Sequence, residues 1–187
     1  MVTSRRDHLV ETALDLFYRH GFHATGIDRI LAVSGVAKMT LYKHFRSKDD
    51  LILAALRLRD ERFRQWLAEA VENRVRSPRK RLLAVFDVLE EWFSAPGFQG
   101  DMFMNAAAEY GDPAHPVRAA AAEHKAAMRQ YFVDLAVAAG VRDAESLANQ
   151  FALLVDGAVV TAHVAGNMRS AKHARRVAKL LLRSANL

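Results

Sequence analysis

The stretch that most constrains the fold is residues 27–45, IDRILAVSGVAKMTLYKHF. Its first three large apolar residues recur at helical spacing on one face. Thr25 with Asp28 three positions later has the pattern of a capped helix start. Ser34 and Gly35 then supply a turn in which a positive φ is easily adopted. The stretch therefore predicts two short helices joined by a tight turn, the arrangement of a helix-turn-helix.

The second of these helices is predicted over residues 37–44. Leu41 and Phe45 lie four positions apart and are expected to face the core. The remaining side chains project outward, and six of them are candidate DNA contacts: Lys38, Met39, Thr40, Tyr42, Lys43 and His44. Cations and hydroxyls can bond phosphate oxygens or guanine edges, and a methionine can touch a thymine methyl. The same periodicity also fits two solvated amphipathic helices, so the motif alone leaves both interpretations open.

A longer string, GFHATGIDRILAVSGVAKMTLYKHFRSKDDLI, resembles the TetR family of bacterial transcriptional regulators almost position by position. The shared features are Gly-Phe and Thr before the first helix, then SGV, TLYKHF and the SKDDL that opens the next helix. The resemblance covers the first quarter to third of the chain closely and adds Thr25 and Lys48 to the predicted DNA contacts. Ser47 and Asp50 are predicted to form a capping box that starts this next helix. Lys48 stands at its start, where a cation and unpaired backbone donors together attract phosphate.

The family resemblance implies an all-α fold of about nine helices in two domains. Residues 1–47 would form a three-helix helix-turn-helix domain that binds DNA. Residues 48–187 would form a helical domain for ligand binding and dimerisation, with residues 48–74 as the connecting helix. The implied function is a ligand-responsive repressor that binds a palindromic operator as a homodimer.

Composition agrees with an all-α protein able to bury a sizeable core. Hydrophobic residues make up 51% of the 187 residues, while four prolines and nine glycines interrupt few segments. The absence of cysteine excludes disulfides and thiolate chemistry and is compatible with a reducing cytoplasm. The N-terminus lacks the apolar core of a signal peptide, and we expect a cytoplasmic protein without a membrane partner.

Charge is distributed unevenly along the chain. Residues 1–48 carry eight Lys or Arg and four acids, whereas residues 99–165 carry four Lys or Arg and eight acids. The basic end surrounds the helix-turn-helix, which favours DNA as the partner. The run RVRSPRKR at residues 74–81 has two open interpretations, a solvated connection between helices or an extra nucleic-acid patch.

Asp143 and Ser170 are predicted to cap the last two helices. The penultimate helix has more apolar circumference than one core face needs. Together with the last helix it is predicted to form the dimer interface, over residues 147–165 and 174–182. The apolar residues assigned to this interface are Leu147, Phe151, Leu154, Val155, Ala158, Val159, Ala162, Ala174, Val177, Ala178, Leu181 and Leu182. A helix buried wholly within its own protomer explains the same pattern.

A ligand site is predicted in the C-terminal region from clustered aromatic, methionine and polar residues. The assigned residues are Trp92, Phe93, Met102, Phe103, Asn105, Glu109, Tyr110, His124, Asp156 and His163. Three of them, Glu109, His124 and His163, are also the predicted ligands of a divalent metal such as Zn²⁺ or Ni²⁺. An organic effector with a polar head, and an ordinary core without any ligand, remain alternatives.

No enzyme motif is recognisable: there is no phosphate loop, nucleophile elbow or His-Glu-x-x-His sequence. We therefore expect no enzymatic activity and a sequence-specific transcriptional regulator. The competing function is a non-specific or architectural DNA-binding protein that uses only its basic surface.

Overall fold

The computed structural model describes residues 4–185. Within that range it contains α-helices and no strands, which confirms the predicted all-α fold. The helices are α1 (Arg5–His20), α2 (Ile27–Ser34), α3 (Lys38–His44), α4 (Lys48–Arg74), α5 (Pro78–Ser94), α6 (Met102–Glu109), α7 (Pro116–Ala138), α8 (Ala144–Ala165) and α9 (Ser170–Ser184).

Side chains fix several helix starts as predicted. The hydroxyl of Ser47 accepts a hydrogen bond from the backbone amide of Asp50 at 3.1 Å, and the Asp50 carboxylate accepts one from the amide of Arg46 at 3.0 Å. These two bonds satisfy amides that no helical carbonyl reaches, so α4 begins at the predicted position. Asp143 caps α8 by accepting from the amide of Ser146 at 3.0 Å.

Two predicted caps are wrong. The N-cap of α2 is Gly26, and it makes no side-chain cap bond; the Thr25 hydroxyl points inward and donates to the carbonyl of Gly21 at 2.8 Å. Ser170 is the first residue of α9, and its hydroxyl donates to the carbonyl of Ala158 on α8 at 2.7 Å. Each hydroxyl satisfies a carbonyl of a neighbouring segment, a tertiary preference that the local sequence does not reveal.

The chain divides into two compact units. Unit 1 comprises the chain up to Arg62 together with Met102–His124, and unit 2 comprises Phe63–Asp101 together with the chain from Lys125 onward. The predicted division at residues 47 and 48 separates a DNA-binding function from a ligand-binding one. It stays a prediction, because the compact units group residues by packing and not by function.

The core of unit 1 is built around α1, on which α2 and α3 pack. Phe17 and Phe22 stack with ring centroids 5.4 Å apart, and both are buried. Residues of α6 complete this core, including Met102, Phe103 and Ala106. Burying such side chains stabilises the unit by about 1.5–3 kcal/mol for each large one.

Unit 2 is organised by α5, α8 and α9, which pack against one another. Phe86, Phe132 and Phe151 form its aromatic centre, with ring centroids of 5.7 and 6.2 Å across the two pairs. The predicted dimer face of α8 is therefore partly wrong. Its members Leu147, Phe151, Ala158, Val159 and Ala162 are buried within the protomer itself. The same holds for Ala174, Ala178 and Leu182 of the predicted α9 face.

A different stripe of α8 remains exposed. Leu153, Val160 and Val164 are 73%, 47% and 78% exposed, and Gly157 lies between them on the same helical face. By the test of length and composition alone, α8 is long and apolar enough to cross a membrane. That test alone is weak support for a span, because core helices of water-soluble proteins also pass it.

Candidate nucleic-acid interface

The predicted helix-turn-helix is formed by α2 and α3. Gly35 ends α2 in the left-handed conformation, at φ 65°, and its amide donates to the carbonyl of Leu31 at 2.9 Å. A residue without Cβ adopts this conformation at little cost, so the turn between the helices is tight. Leu41 and Phe45 face inward and are 0% and 4% exposed, as their spacing predicted.

Burying Leu41 and Phe45 turns the opposite face of α3 outward. Met39 is 81% exposed and Tyr42 is 46% exposed. Lys38, Lys43 and His44 are exposed as well, and Thr40 is half-buried. The only ion pair of this face among the described residues joins Lys38 to Asp28 at 3.8 Å, with both side chains mostly in solvent. Such an exposed pair contributes little and leaves Lys38 able to reach an anion.

Two contacts from α1 hold this helix pair in place. A ring nitrogen of His8 lies 3.0 Å from the carbonyl oxygen of Ser34, at the end of α2. The guanidinium of Arg6 lies over the ring of Phe45, 5.4 Å from its centroid. Arg6 was not among the predicted DNA contacts, and its position beside the end of α3 adds a cation there. The paired arginines at the start of α1, Arg5 and Arg6, were the available signal.

Thr25 is not placed as the DNA-contact prediction requires, whereas the contact of Lys48 with DNA stays a prediction. Thr25 is 0% exposed, and its hydroxyl is engaged by the carbonyls of Leu16 and Gly21. Its side chain therefore cannot reach a phosphate. Lys48 is half-buried, and its ammonium lies 3.4 Å from the carbonyl oxygen of His23.

The turn between α1 and α2 is supported by residues that were predicted to bind a ligand. Tyr110 lies between two imidazoles, with ring centroids 4.8 Å from His23 and 4.5 Å from His115. Its hydroxyl donates to the carboxylate of Asp49 at 3.4 Å. Burial and the charge of Asp49 raise the pKa of Tyr110 to about 12, so the phenol stays neutral and remains a donor at physiological pH.

The predicted ligand residues divide between the two units. Trp92, Phe93, Asp156 and His163 belong to unit 2, and Met102, Phe103, Asn105, Glu109, Tyr110 and His124 belong to unit 1. Within unit 1 the aromatic and methionine members are buried core. His124 is also buried: its ring stacks on Phe103 at 3.7 Å, and Nδ1 lies 2.7 Å from a carboxylate oxygen of Asp60.

In unit 2 the aromatic side chains form a connected cluster. The ring of Trp92 lies 5.1 Å from that of Phe63 and 5.0 Å from that of Phe98, in edge-to-face geometry. Phe98 continues the cluster to His163, with centroids 6.1 Å apart. Trp66, on the other side of Phe63, is 38% exposed, so the cluster reaches the surface.

A polar network holds Asp156, the remaining predicted ligand residue. The ammonium of Lys125 donates to Asp101 at 2.6 Å and to Asp156 at 2.8 Å. Burial lowers the pKa of Lys125, but the two carboxylates outweigh it and hold that pKa above its ordinary value. The network joins the segment before α6 to α7 and α8.

The structure does not assemble the predicted metal site. Glu109 accepts hydrogen bonds from backbone amides of unit 1, His124 pairs with Asp60, and His163 packs on Phe98 in unit 2. Among the described residues, no group of three or more His, Asp or Glu side chains could hold a metal ion. Helical spacing correctly placed these residues on helices but did not reveal their partners.

Two family profiles match the chain. Residues 9–55 match the bacterial regulatory proteins of the tetR family, and residues 78–178 match the tetracyclin repressor-like C-terminal domain. The chain belongs to the TetR family. It is a transcriptional regulator with a helix-turn-helix DNA-binding domain, and dimers and a response to ligands are typical of this family. The family consists of transcriptional regulators, which are not enzymes.

Solved structures agree with this assignment along the whole chain. The TetR-family regulator SCO4454 of Streptomyces coelicolor is 33% identical, with a TM-score of 0.89 over 98% of this chain and 96% of that one. A TetR-type regulator of Streptomyces avermitilis is also 33% identical, with a TM-score of 0.85 over 98% and 99% of the two chains.

Curated relatives match either a shorter part of this chain or the whole chain at lower identity. The transcriptional activator FasR of Mycolicibacterium smegmatis is 39% identical over 90 residues, which are 46% of this chain and 41% of FasR. This chain thus spans less than half of FasR in that match. The transcriptional regulator YjdC of Escherichia coli is 23% identical over 97% of this chain and 95% of YjdC.

Proposed function

We propose that this regulator is a repressor that places α3 in the major groove of a palindromic operator and releases DNA when it binds a small organic effector. The proposal that α3 binds DNA rests on the outward face of this helix, where Met39 is 81% exposed although the neighbouring Leu41 is fully buried. An exposed methionine between cations can touch a thymine methyl while Lys38 and Lys43 meet phosphates or guanine edges.

A palindromic operator follows from a twofold dimer, since each half-site meets one α3. We assign the dimer interface to the exposed stripe of α8 (Leu153, Gly157, Val160 and Val164), with Val177 and Leu180 of α9. An apolar patch of this kind, rimmed by polar residues, is typical of an association surface. A regulator of bacterial genes acts on the chromosome, and we propose a cytoplasmic location for that reason.

The effector is assigned to unit 2. The aromatic cluster of Trp92, Phe98 and His163 is partly open to solvent, and aromatic walls with few polar groups are typical of sites for organic ligands. Phe93 lies beneath this cluster, with its ring 5.2 Å from that of Phe98. We propose no metal and no enzymatic activity.

The DNA part is tested by selecting sequences from a random duplex pool with the purified protein, then titrating salt on the selected duplex. A regulator should enrich one palindromic sequence and keep a large affinity ratio over random duplex as salt rises. An architectural binder would enrich no sequence and lose affinity for all duplexes alike. Lys43→Ala and Tyr42→Phe should each weaken binding of the selected duplex, by roughly ten-fold for a good contact.

A further inference from the structure

The outer side of α9 carries a straight row of cations, here called the basic stripe: Lys172, Arg176, Lys179 and Arg183. Their spacing of four, three and four residues places them on one face of the helix, and all four are exposed. At about 1.5 Å of rise per residue, the row is roughly 16 Å long. It is separate from the apolar stripe of α9, which contains Val177 and Leu180.

The stripe continues onto the start of α5. The guanidinium of Arg79 donates to the carbonyl oxygen of Leu182 at 2.8 Å, which joins the run at residues 74–81 to the last turn of α9. Lys80 follows in the chain, and Arg76 precedes; both are exposed. Two segments far apart in sequence therefore contribute to one cationic surface of unit 2.

The described carboxylates of unit 2 do not neutralise this surface. Only Lys172 among the stripe residues has an ion pair in the described chain, with Glu90 at 2.9 Å. No Asp or Glu follows Asp156 in the sequence. The two acids of α8 are already engaged, Asp156 with Lys125 and Glu145 with Arg129. A second copy that docks through the apolar faces of α8 and α9 would thus bring no unpaired carboxylate from these helices.

We infer that the basic stripe is a second DNA-binding surface, which contacts the phosphate backbone of duplex DNA without reading its sequence. Arginine and lysine recognise phosphate oxygens, and successive cations lie about 4.5–6 Å apart along the helix axis, so several phosphates can be met at once. An amphipathic helix that lies on a membrane places Trp, Phe or Leu of its apolar face in the lipid. The main apolar face of α9, with Ala174, Ala178 and Leu182, is instead buried against α5 and α8. Duplex DNA is therefore the better match. The inference goes beyond the proposed function, which uses α3 of unit 1, and neither requires the other.

The test measures binding of a random-sequence 30-base-pair duplex by the full chain across a salt series, with Lys43→Gln present in every protein to weaken the α3 contact. Arg176→Gln removes one stripe cation, and Arg176→Gln/Arg183→Gln removes two. The matched control is Arg142→Gln, which removes an exposed cation from the α7–α8 connection. Arg176→Lys/Arg183→Lys keeps both charges and checks that the helix is intact.

Each lost phosphate contact lowers the slope of log affinity against log salt by about 0.9. We expect a drop of about 0.9 for the single stripe variant and about 1.8 for the double variant, with Arg142→Gln and the lysine variant like the parent. Equal slopes in all variants, or an equal drop in Arg142→Gln, would overturn the inference. A second experiment measures binding to vesicles of phosphatidylglycerol. If the double variant lost vesicle binding while its slope of log DNA affinity against log salt stayed unchanged, the stripe would be assigned to lipid instead.

Discussion

Glu109 and His23 are joined by two polar contacts, each between the side chain of one residue and the backbone of the other. The backbone amide of His23 donates to the carboxylate of Glu109 at 2.6 Å, and a ring nitrogen of His23 lies 2.9 Å from the backbone carbonyl oxygen of Glu109. The same carboxylate accepts from the amide of Phe22 at 2.9 Å. The end of α6 thereby fixes the turn that leads into α2, and with it the position of the helix-turn-helix.

The first prediction concerns this carboxylate. Glu109→Ala leaves two backbone amides without their acceptor and should lower the free energy of unfolding by about 1–3 kcal/mol. It should also weaken binding of the selected duplex, because the turn before α2 loses its anchor. Urea unfolding and fluorescence anisotropy measure the two effects. Glu123→Ala, an exposed glutamate of α7, is the control and should change neither. Unchanged DNA affinity in Glu109→Ala would show that the turn holds its position without this contact.

The second prediction concerns the dimer. Leu153→Lys places a charge on a side chain that is 73% exposed in the protomer, so the protomer should fold normally. At a buried interface the same charge would be unpaired and cost several kcal/mol. We expect monomers by light scattering and loss of operator binding. Ala126→Lys adds the same charge at an exposed position of α7, away from this stripe, and is the control. A dimeric Leu153→Lys protein would move the interface away from this stripe.

The sequence predicted helix bounds well because their signals are local. Capping by Ser47 and Asp143 and the turn at Gly35 depend on neighbours within a few residues. Prediction from the sequence failed where the hydrogen-bond partner of a residue is distant in the chain. No residue near Thr25 in the sequence indicates that its hydroxyl is buried. Likewise, no residue near Glu109 indicates that its carboxylate accepts a hydrogen bond from a backbone amide 86 residues away.

The choice of face on α8 failed for a related reason. Periodicity showed that the helix has too much apolar surface for one neighbour, but it could not show which stripe the protomer buries. The structure buries Phe151 and Ala158 and leaves Leu153 and Val160 exposed. The predicted interface and the observed exposed stripe thus lie on the same helix but on different faces.

The third prediction concerns Lys125 and its two carboxylates. Lys125→Met leaves Asp101, whose side chain is 10% exposed, without its cation, and should destabilise the protein by about 3 kcal/mol. Asp101→Asn added to Lys125→Met should recover part of this loss, because it removes the carboxylate charge that the Lys125 ammonium balanced. Urea unfolding of the four proteins in this cycle measures the coupling. Full additivity of the two substitutions would contradict the network.

The same network predicts a dependence of stability on pH. The pKa of Lys125 is raised above its ordinary value of 10.5. Its contribution to stability is therefore complete below that value and is lost as the pH rises through the higher pKa of the folded state. The unfolding free energy of the wild type should fall in this alkaline range more steeply than that of Lys125→Met/Asp101→Asn. Parallel curves would show that another group titrates there.

The last prediction separates backbone strain from close packing at Gly100. This residue has φ 77°, and a Cβ placed on it would lie 2.8 Å from Cγ of His163 on α8. Gly97, in the same connection between α5 and α6, has φ 82° but nothing within 4 Å of its added Cβ. Alanine at either position has the same left-handed strain, about 1–2 kcal/mol, whereas only alanine at Gly100 meets the imidazole.

We therefore expect Gly100→Ala to lower the free energy of unfolding by more than Gly97→Ala, with a difference of about 1–3 kcal/mol from overpacking. His163→Ala introduced into Gly100→Ala should bring that loss back to the level of Gly97→Ala, since the strain stays but the ring is gone. Urea unfolding at neutral pH measures all four variants, with His163→Ala alone as the reference for the lost ring contact with Phe98. If His163→Ala failed to rescue Gly100→Ala, the α5–α6 connection would not be packed on α8 as closely as the 2.8 Å approach requires.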